Sequence, residues 1–598
     1  MTDNPDIPES KDTPPTAGPS HEAAGGTAKA EAVSQPEPDP KGPYNIAQVI
    51  GEAAERDPDQ LAVLSPVPDC LGRDRITFGE LDRDSGILAG KLRNDLGLDP
   101  GERVLVMLRP GPDFYVVAFA LFKAGLVPVM VDPGMGLRRM LECLSEGKPS
   151  ALIGIKRAHL LSLLFPGYFR RIKTRVTMGR RLFWGGATLS GLMADSTATP
   201  LEPEGTLGTD TAAVLFTSGA TGPPKGVVYT HSMFGAQVRA IRDNFCHEPG
   251  GRELVTFPLF GLFTPALGLT SVIADMDPVR PGKADPNKII ETIRQERITS
   301  LFASPALLHR LSEHLLGSPG RLEGVKVVIS AGAPAQPSLI AGISSMLDEG
   351  ARLFTPYGAT EAMPLTLVDQ EGIAKARGMT EQGFGMCVGS PLPHCHIRVI
   401  GISEGPINSF SEKDVLPQGE VGELVACGPM VAENYFDLPE ATALTMVLGP
   451  NGRPWRRMGD VGWRDIRGHL WFCGRKSQRV VTKNATLFTV PCESIFLNHP
   501  QVRRAALVGV GEKGSMLPVM VIEPMKRLSS AKWDTFVTEL LALAKANPRT
   551  RQIKTFLQRQ NFPLDIRHNA KISREKLASW ARTELSMKDM AATEFYKN

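Results

Sequence analysis

The chain has 598 residues, 42% of them apolar, and a formal net charge of +3. That length admits several domains, and the apolar share is ordinary for a globular protein. So small a charge gives no argument for nucleic acid as a partner.

Residues 1–42 are rich in Pro, Glu, Asp, Ser, Gly and Ala and nearly free of large apolar groups. Such a segment cannot bury enough surface to offset its ordering entropy, so a disordered tail is predicted. No basic stretch followed by an apolar core opens the chain, which predicts a cytoplasmic location. The eight cysteines are dispersed without a C-x-x-C pair, which predicts reduced, mostly buried thiols and no zinc site.

From Tyr44 onward helices and apolar strands alternate. A helix is expected over 46–55, strand pieces at 61–64 and 76–77, and a continuous apolar strand over 103–108. A helix over 114–124 and a strand over 127–131 follow, and similar runs recur at 151–155, 254–257, 300–303 and 325–329. Fully apolar strands separated by helices indicate a parallel sheet covered on both faces.

Residues 156–184 read as an insertion in which Leu160 to Phe165, Tyr168 and Phe169 are strung among eight basic side chains. That pattern suits a membrane surface or partner enzymes, and equally a solvated face over a core helix. Residues 254–274 carry no charge and are long enough to span a bilayer. Pro258, Gly261, Pro265 and Gly268 interrupt them, which favours a strand, a loop and a helix start inside a core. Beyond Gly474 the pattern changes. Strands at 479–481, 487–490, 505–510 and 518–522 and helices over 531–546 and 574–586 predict a small α+β domain. The expected division is therefore 1–42, 43–474 and 475–598, with a connection near Lys476-Ser477.

The chemistry is densest after the apolar run 212–216. Thr217-Ser-Gly-Ala-Thr-Gly-Pro-Pro-Lys225 combines hydroxyls, glycines and one lysine. Glycines let the backbone approach an anion, and bare N–H groups in such turns form an anion-binding nest. A phosphate loop is predicted. It is not a Walker A loop, because Pro224-Lys225-Gly226 stands where Gly-Lys-Ser/Thr would be needed.

Three further islands bear on the same site. Ser330-Ala-Gly-Ala-Pro334 offers small residues after a strand, where a flat ring could lie against backbone. Thr355-Pro-Tyr-Gly-Ala-Thr-Glu361 offers an aromatic face, a hydroxyl and a carboxylate, and a carboxylate beside a phosphate loop is most simply a Mg²⁺ ligand. Asp460, between glycines, could accept ribose hydroxyls, and Arg475 could meet ribose or phosphate oxygens.

In this order the islands resemble the acyl-adenylate-forming superfamily of acyl-CoA ligases, firefly-type luciferases and nonribosomal adenylation domains. The resemblance runs from Tyr44 to the C-terminal helix. It implies an α/β fold with parallel-rich sheets covered by helices, followed by a small mobile lid domain. It also implies ATP as co-substrate and Mg²⁺ as cofactor. Thr217, Ser218, Gly219, Thr221, Gly222 and Lys225 would hold the phosphates. Ala331, Gly332, Ala333, Pro334 and Tyr357 would flank the adenine, and Gly358 would also belong to the nucleotide site. Thr360 and Glu361 would take phosphate and Mg²⁺, with Thr217 beside them, and Asp460 and Arg475 the ribose. Lys571, in the loop from Pro563 to Arg574, occupies the place of the family's catalytic lysine, which bridges carboxylate and α-phosphate.

The sequence departs from acyl-CoA ligases at three points. Ser477 stands at an acidic hinge position, and Asn484 at a glycine that lets a pantetheine arm pass. Pro258-Leu-Phe-Gly261 replaces a motif ending in histidine, which is expected to open space near the activated carbonyl. Phe257 to Thr270, Asp275-Met-Asp-Pro278 and Asp565 to Lys571 look like the β-lactone synthetases of bacterial long-chain olefin biosynthesis. That resemblance implies a long-chain 2-alkyl-3-hydroxy acid whose own hydroxyl attacks the adenylated carboxyl, and other olefin-pathway enzymes as partners. The rival reading is a long-chain fatty acyl-CoA ligase. Phe260, Gly261 and His231 are the expected pocket residues, and His231 and His568 are candidate bases.

Overall fold

The computed structural model describes residues 41–131, 133–195, 198–217, 224–316, 320–564 and 572–595. The tail expected over 1–42 therefore lies almost wholly outside the described residues, as do Ser218, Gly219, Thr221, Gly222, His568 and Lys571. Thr217 is described only as the last residue of a strand.

Two large sheets form the bulk of the molecule. The first has seven strands, with Ala187–Thr188, Thr174–Met178, Ala151–Ile155, Arg103–Met107, Val127–Val131 and Thr211–Thr217 in parallel sequence and Lys225–Thr230 antiparallel at its edge. Strands such as Val127–Val131 are apolar at nearly every position because helices cover both faces. The helix Pro112–Lys123, buried along its whole length, packs against this sheet's core with Phe78, Leu81 and Leu88.

The second sheet has 14 strands. Its parallel half runs Leu61–Leu64, Thr270–Ile273, Arg252–Val255, Ser300–Ala303, Val327–Ser330 and Arg352–Ala359. Its other half is antiparallel, from Ala362–Asp369 through Met386–Pro391, Leu470–Arg475, Pro454–Arg464 and Gly422–Cys427 to His396–Ile400. This half was not read from sequence, since its strands alternate less regularly and carry buried Arg456, Arg457 and Glu423.

A separate three-stranded sheet follows, in which Val502–Val510 and Leu517–Pro524 pair antiparallel and Thr555–Gln558 joins in parallel. Helices Thr489–Leu497, Ser530–Ala546 and Arg574–Phe595 complete this small α+β domain.

Two expectations, at 487–490 and 156–184, are corrected, and the reading of 254–274 as a core segment holds. The apolar run at 487–490 is not one strand: Thr486–Leu487 ends the strand and Thr489–Leu497 is a helix buried at most positions. Both states give a continuous apolar run when fully buried, so periodicity cannot separate them. Residues 254–274 form strand Arg252–Val255, two short helices and a second strand, Thr270–Ile273. No helix among the described residues is long and apolar enough to cross a membrane. Residues 156–184 are no insertion, because Thr174–Met178 pairs in register with Ala151–Ile155 inside the seven-stranded sheet. Five of the eight cysteines are buried and all are free thiols.

Candidate active site

The carboxyl ends of the parallel strands converge on one cleft of about 2110 Å³. Loops after Arg252–Val255, Ser300–Ala303 and Val327–Ser330 line it from one sheet, and Gly134 to Arg139, after Val127–Val131, from the other. Ligands in α/β sheets sit at this end because strand carboxyl ends splay into loops there. Ile572 to Lys576 of the small domain also reach the cleft.

Asp460, Arg475 and Tyr357 form its polar wall. Asp460 and Arg475 are cross-strand partners, with Arg475 Nη1 2.9 Å from Asp460 Oδ1. The Tyr357 hydroxyl donates to Asp460 Oδ2 at 2.7 Å. Burial, then the neighbouring Asp460 carboxylate, hold the Tyr357 phenol well above its ordinary pKa, so it stays protonated as a donor. Gly358 is required here, since a Cβ would collide with the Ala362 carbonyl oxygen. Gly332, Ala333 and Pro334 line the same cleft.

Thr360 and Glu361 are held from below by two tyrosines. Tyr229 donates to the Thr360 carbonyl, and Tyr435 donates to Glu361 Oε1 at 2.8 Å. Two cations approach the Tyr435 ring, with Lys225 Nζ 4.9 Å and Arg456 Cζ 4.8 Å from its centroid. Arg456 is almost fully buried and donates to the Ala432 carbonyl at 2.5 Å. A ring so placed attracts both charges through its quadrupole, and it joins Lys225 to Glu361. Sequence reading missed Tyr435 and Arg456, which lie far from any glycine-rich signal. No described cation pairs with Glu361. A carboxylate with one oxygen engaged suits Mg²⁺, which binds few carboxylates and keeps water and phosphate in its shell.

The other end of the cleft is apolar, with Phe234, Phe257, Phe260, Phe263 and Phe302 among its lining residues. Phe260 stacks on Phe302 at 4.6 Å. Glu253 also borders the cleft. It is buried, accepts a hydrogen bond from Thr264 Oγ1, and burial raises its carboxyl to about 7.

Two pocket expectations need correction. His231 does not line the cleft. It is buried at the start of helix His231–Asn244, its Nδ1 accepts from the Ile46 N–H at 3.2 Å, and burial lowers its pKa to about 4. An apolar surround that seats a neutral ring explains it fully. Gly261 does border the cleft, but its missing side chain opens no space. A Cβ there would stand 2.5 Å from Tyr115 Oη and 2.7 Å from Val255 Cγ1. Asn484 is exposed in the turn between Val480–Val481 and Thr486–Leu487, away from the cleft.

The connection to the small domain is held by charge. Lys476 Nζ meets Glu423 Oε1 at 2.9 Å and the Ser403 carbonyl at 2.9 Å, while Arg457 engages both Glu423 oxygens. Glu404 receives Lys513 at 2.6 Å and Arg479. These partners hold its carboxyl down at about 2.

Taken together, the convergent loops, the Asp460 cluster and the Glu361 shelf define a carboxylate-activating, nucleotide-dependent ligase site. The chain belongs to the AMP-binding enzyme family, whose profile matches residues 50–436, and it is an ATP-dependent acid-activating ligase. It is 44% identical to the olefin β-lactone synthetase of Stenotrophomonas maltophilia (strain K279a), over 91% of this chain and 99% of that protein. The olefin β-lactone synthetase of Xanthomonas campestris pv. campestris is 43% identical over 90% and 97%. Among solved structures, the amide bond synthetase McbA of Marinactinospora thermotolerans superposes with a TM-score of 0.73 at 23% identity, covering 90% of this chain and 99% of that one. The o-succinylbenzoate CoA synthetase MenE of Bacillus subtilis, in complex with its acyl-adenylate intermediate, gives 0.69 at 21%, covering 88% and 97%. Those two likenesses establish the fold.

Proposed function

We propose that this enzyme uses ATP to activate a long-chain 2-alkyl-3-hydroxy fatty acid and closes it to a β-lactone. The observation that carries this reading is the near-full-length similarity to two olefin β-lactone synthetases. In the first step a carboxylate oxygen attacks the α-phosphorus and pyrophosphate leaves. In the second the 3-hydroxyl oxygen attacks the acyl carbonyl, loses its proton, and AMP departs. An internal nucleophile benefits from high effective molarity and needs no channel for a second substrate.

Thr217 to Lys225 hold the phosphates, Tyr357 and Gly332 to Pro334 flank the adenine, and Asp460 and Arg475 take the ribose. Glu361 and Thr217 would hold Mg²⁺, which would supply positive charge to screen the phosphates. Lys571 brings a positive charge to the attacking carboxylate and the α-phosphate, where charge develops in the transition state. The aromatic end of the cleft takes the alkyl branches. Residues 475–598 act as a lid that turns about Lys476 to Gln478 and keeps water from the mixed anhydride.

The deciding experiment incubates enzyme, ATP, Mg²⁺ and a 2-alkyl-3-hydroxy acid with and without CoA, and identifies products by mass spectrometry. A lactone formed without CoA is the expected result. A CoA-dependent thioester with no lactone overturns the reading in favour of an acyl-CoA ligase.

A further inference from the structure

Between Gly147 and Ala194 the chain carries nine lysines and arginines and no aspartate or glutamate. In the remainder, acidic side chains outnumber basic ones. The segment's charge is therefore local. Lys156, Arg157, Arg170, Arg171, Lys173, Arg180 and Arg181 are all exposed. Among the described residues none of these seven forms an ion pair with an acidic side chain.

The same segment exposes large apolar side chains. On helix Lys156–Leu164, His159 and Ser162 turn inward while Leu160, Leu163 and Leu164 face out, Leu164 being 66% exposed. These three occupy i, i+3 and i+4 positions and so share one helical face. Trp184 brings a second element against this helix. Its ring stacks on His159 at 5.3 Å, and its Nε1 donates to Thr177 Oγ1 at 2.9 Å. That anchor fixes the loop whose next residues outward are Leu182, 48% exposed, and Phe183, 78% exposed. Helix face and loop tip thus meet through the Trp184–His159 stack, both expose apolar side chains, and both are flanked in sequence by exposed cations.

We infer that this face docks the enzyme on an anionic phospholipid bilayer. Apolar tips held on a rigid base can enter the boundary between headgroups and acyl chains, while the surrounding arginines and lysines meet lipid phosphates. Cations left without acidic partners complement an anionic surface and would repel a basic one. The face stands apart from the cleft residues, so the inference does not depend on the substrate proposed above.

The full chain is sedimented with phosphatidylcholine vesicles, with and without phosphatidylglycerol, at low and high salt. Binding is expected only to the anionic vesicles and is expected to weaken with salt. Each basic side chain near an anionic surface is worth roughly five-fold in partitioning, so Arg170→Glu/Arg171→Glu/Arg180→Glu/Arg181→Glu should lower binding by at least several hundred-fold. Leu163→Ser/Leu164→Ser/Phe183→Ser should also release the protein, with ATP–pyrophosphate exchange unchanged in both variants as the control for folding. Failure of the wild-type chain to sediment with anionic vesicles overturns the proposal. So does equal binding to neutral vesicles, undiminished binding of the charge-reversed variant, or loss of a protein partner as that variant's only defect.

Discussion

Asp460 and Arg475 face each other across adjacent antiparallel strands and pair at 2.9 Å, with the second carboxylate oxygen taken by Tyr357 at 2.7 Å. The carboxylate is thus oriented before any ligand arrives. Asp460→Asn keeps the shape but removes the charge that both partners engage. Hydrogen bonds to charged groups are worth about 1.5–3 kcal/mol, so the KM for ATP should rise about ten- to hundred-fold. Initial rates of pyrophosphate release against ATP concentration check this. An unchanged KM would remove Asp460 from nucleotide binding.

Tyr435 couples Lys225 to Glu361 through its ring and its hydroxyl. Tyr435→Phe keeps the ring near the two cations and removes the hydroxyl that bonds Glu361. A net loss of about 1–1.5 kcal/mol lowers kcat/KM roughly ten-fold. The rate loss should shrink at high Mg²⁺ if Glu361 is the metal ligand. Titration of Mg²⁺ with both proteins separates that outcome from a general loss of activity.

Lys571→Ala should abolish adenylation, by about a hundred-fold or more, as expected when a donor to developing charge is removed. ATP binding, read by calorimetry, should persist. Wild-type pyrophosphate release from the variant would refute the assigned role.

Glu253 predicts a pH dependence of stability. Burial raises its folded carboxyl from 4.5 to about 7. The folded state therefore holds the proton more tightly than the unfolded state, and stability is lost as pH rises from 4.5 towards 7. The loss is about 3 kcal/mol by linkage. Glu253→Gln is neutral at every pH and should not suffer this loss. Its thermal midpoint relative to wild type should be higher at about pH 8 than at about pH 4.5, on either side of the window that linkage defines. Parallel melting curves across that range would show that the carboxyl is not buried as a proton-holding group.

Gly261→Ala places a methyl group against Tyr115 Oη and Val255. Overpacking of this kind costs about 1–3 kcal/mol, seen as a lower thermal midpoint. Adding Tyr115→Phe removes one of the clashing atoms and should recover part of the loss. A Gly261→Ala variant as stable as wild type would return Gly261 to the open-space reading.

The parallel strands were legible because burial on both faces makes them continuous apolar runs: Val127–Val131, Ala151–Ile155 and Ser300–Ala303 fall where the pattern sets them. The polar islands proposed for nucleotide binding were legible for another reason. Glycines, hydroxyls and charges crowded into a few positions have little use in a core. The antiparallel half of the second sheet was not legible, because its buried ion pairs, Arg457 with Glu423 among them, look like surface charge in one dimension.

The sequence alone determined the family, the alternation of helix and strand, and which short segments crowd glycines, hydroxyls and charges together. Those properties reside in residue types at close spacing. Only the tertiary structure decided that Tyr435 and Arg456 support Glu361, that His231 is a packed neutral ring, and that Gly261 yields to Tyr115. Each of these depends on which distant segments share a few ångströms, and sheet register and close packing settle that, not local pattern.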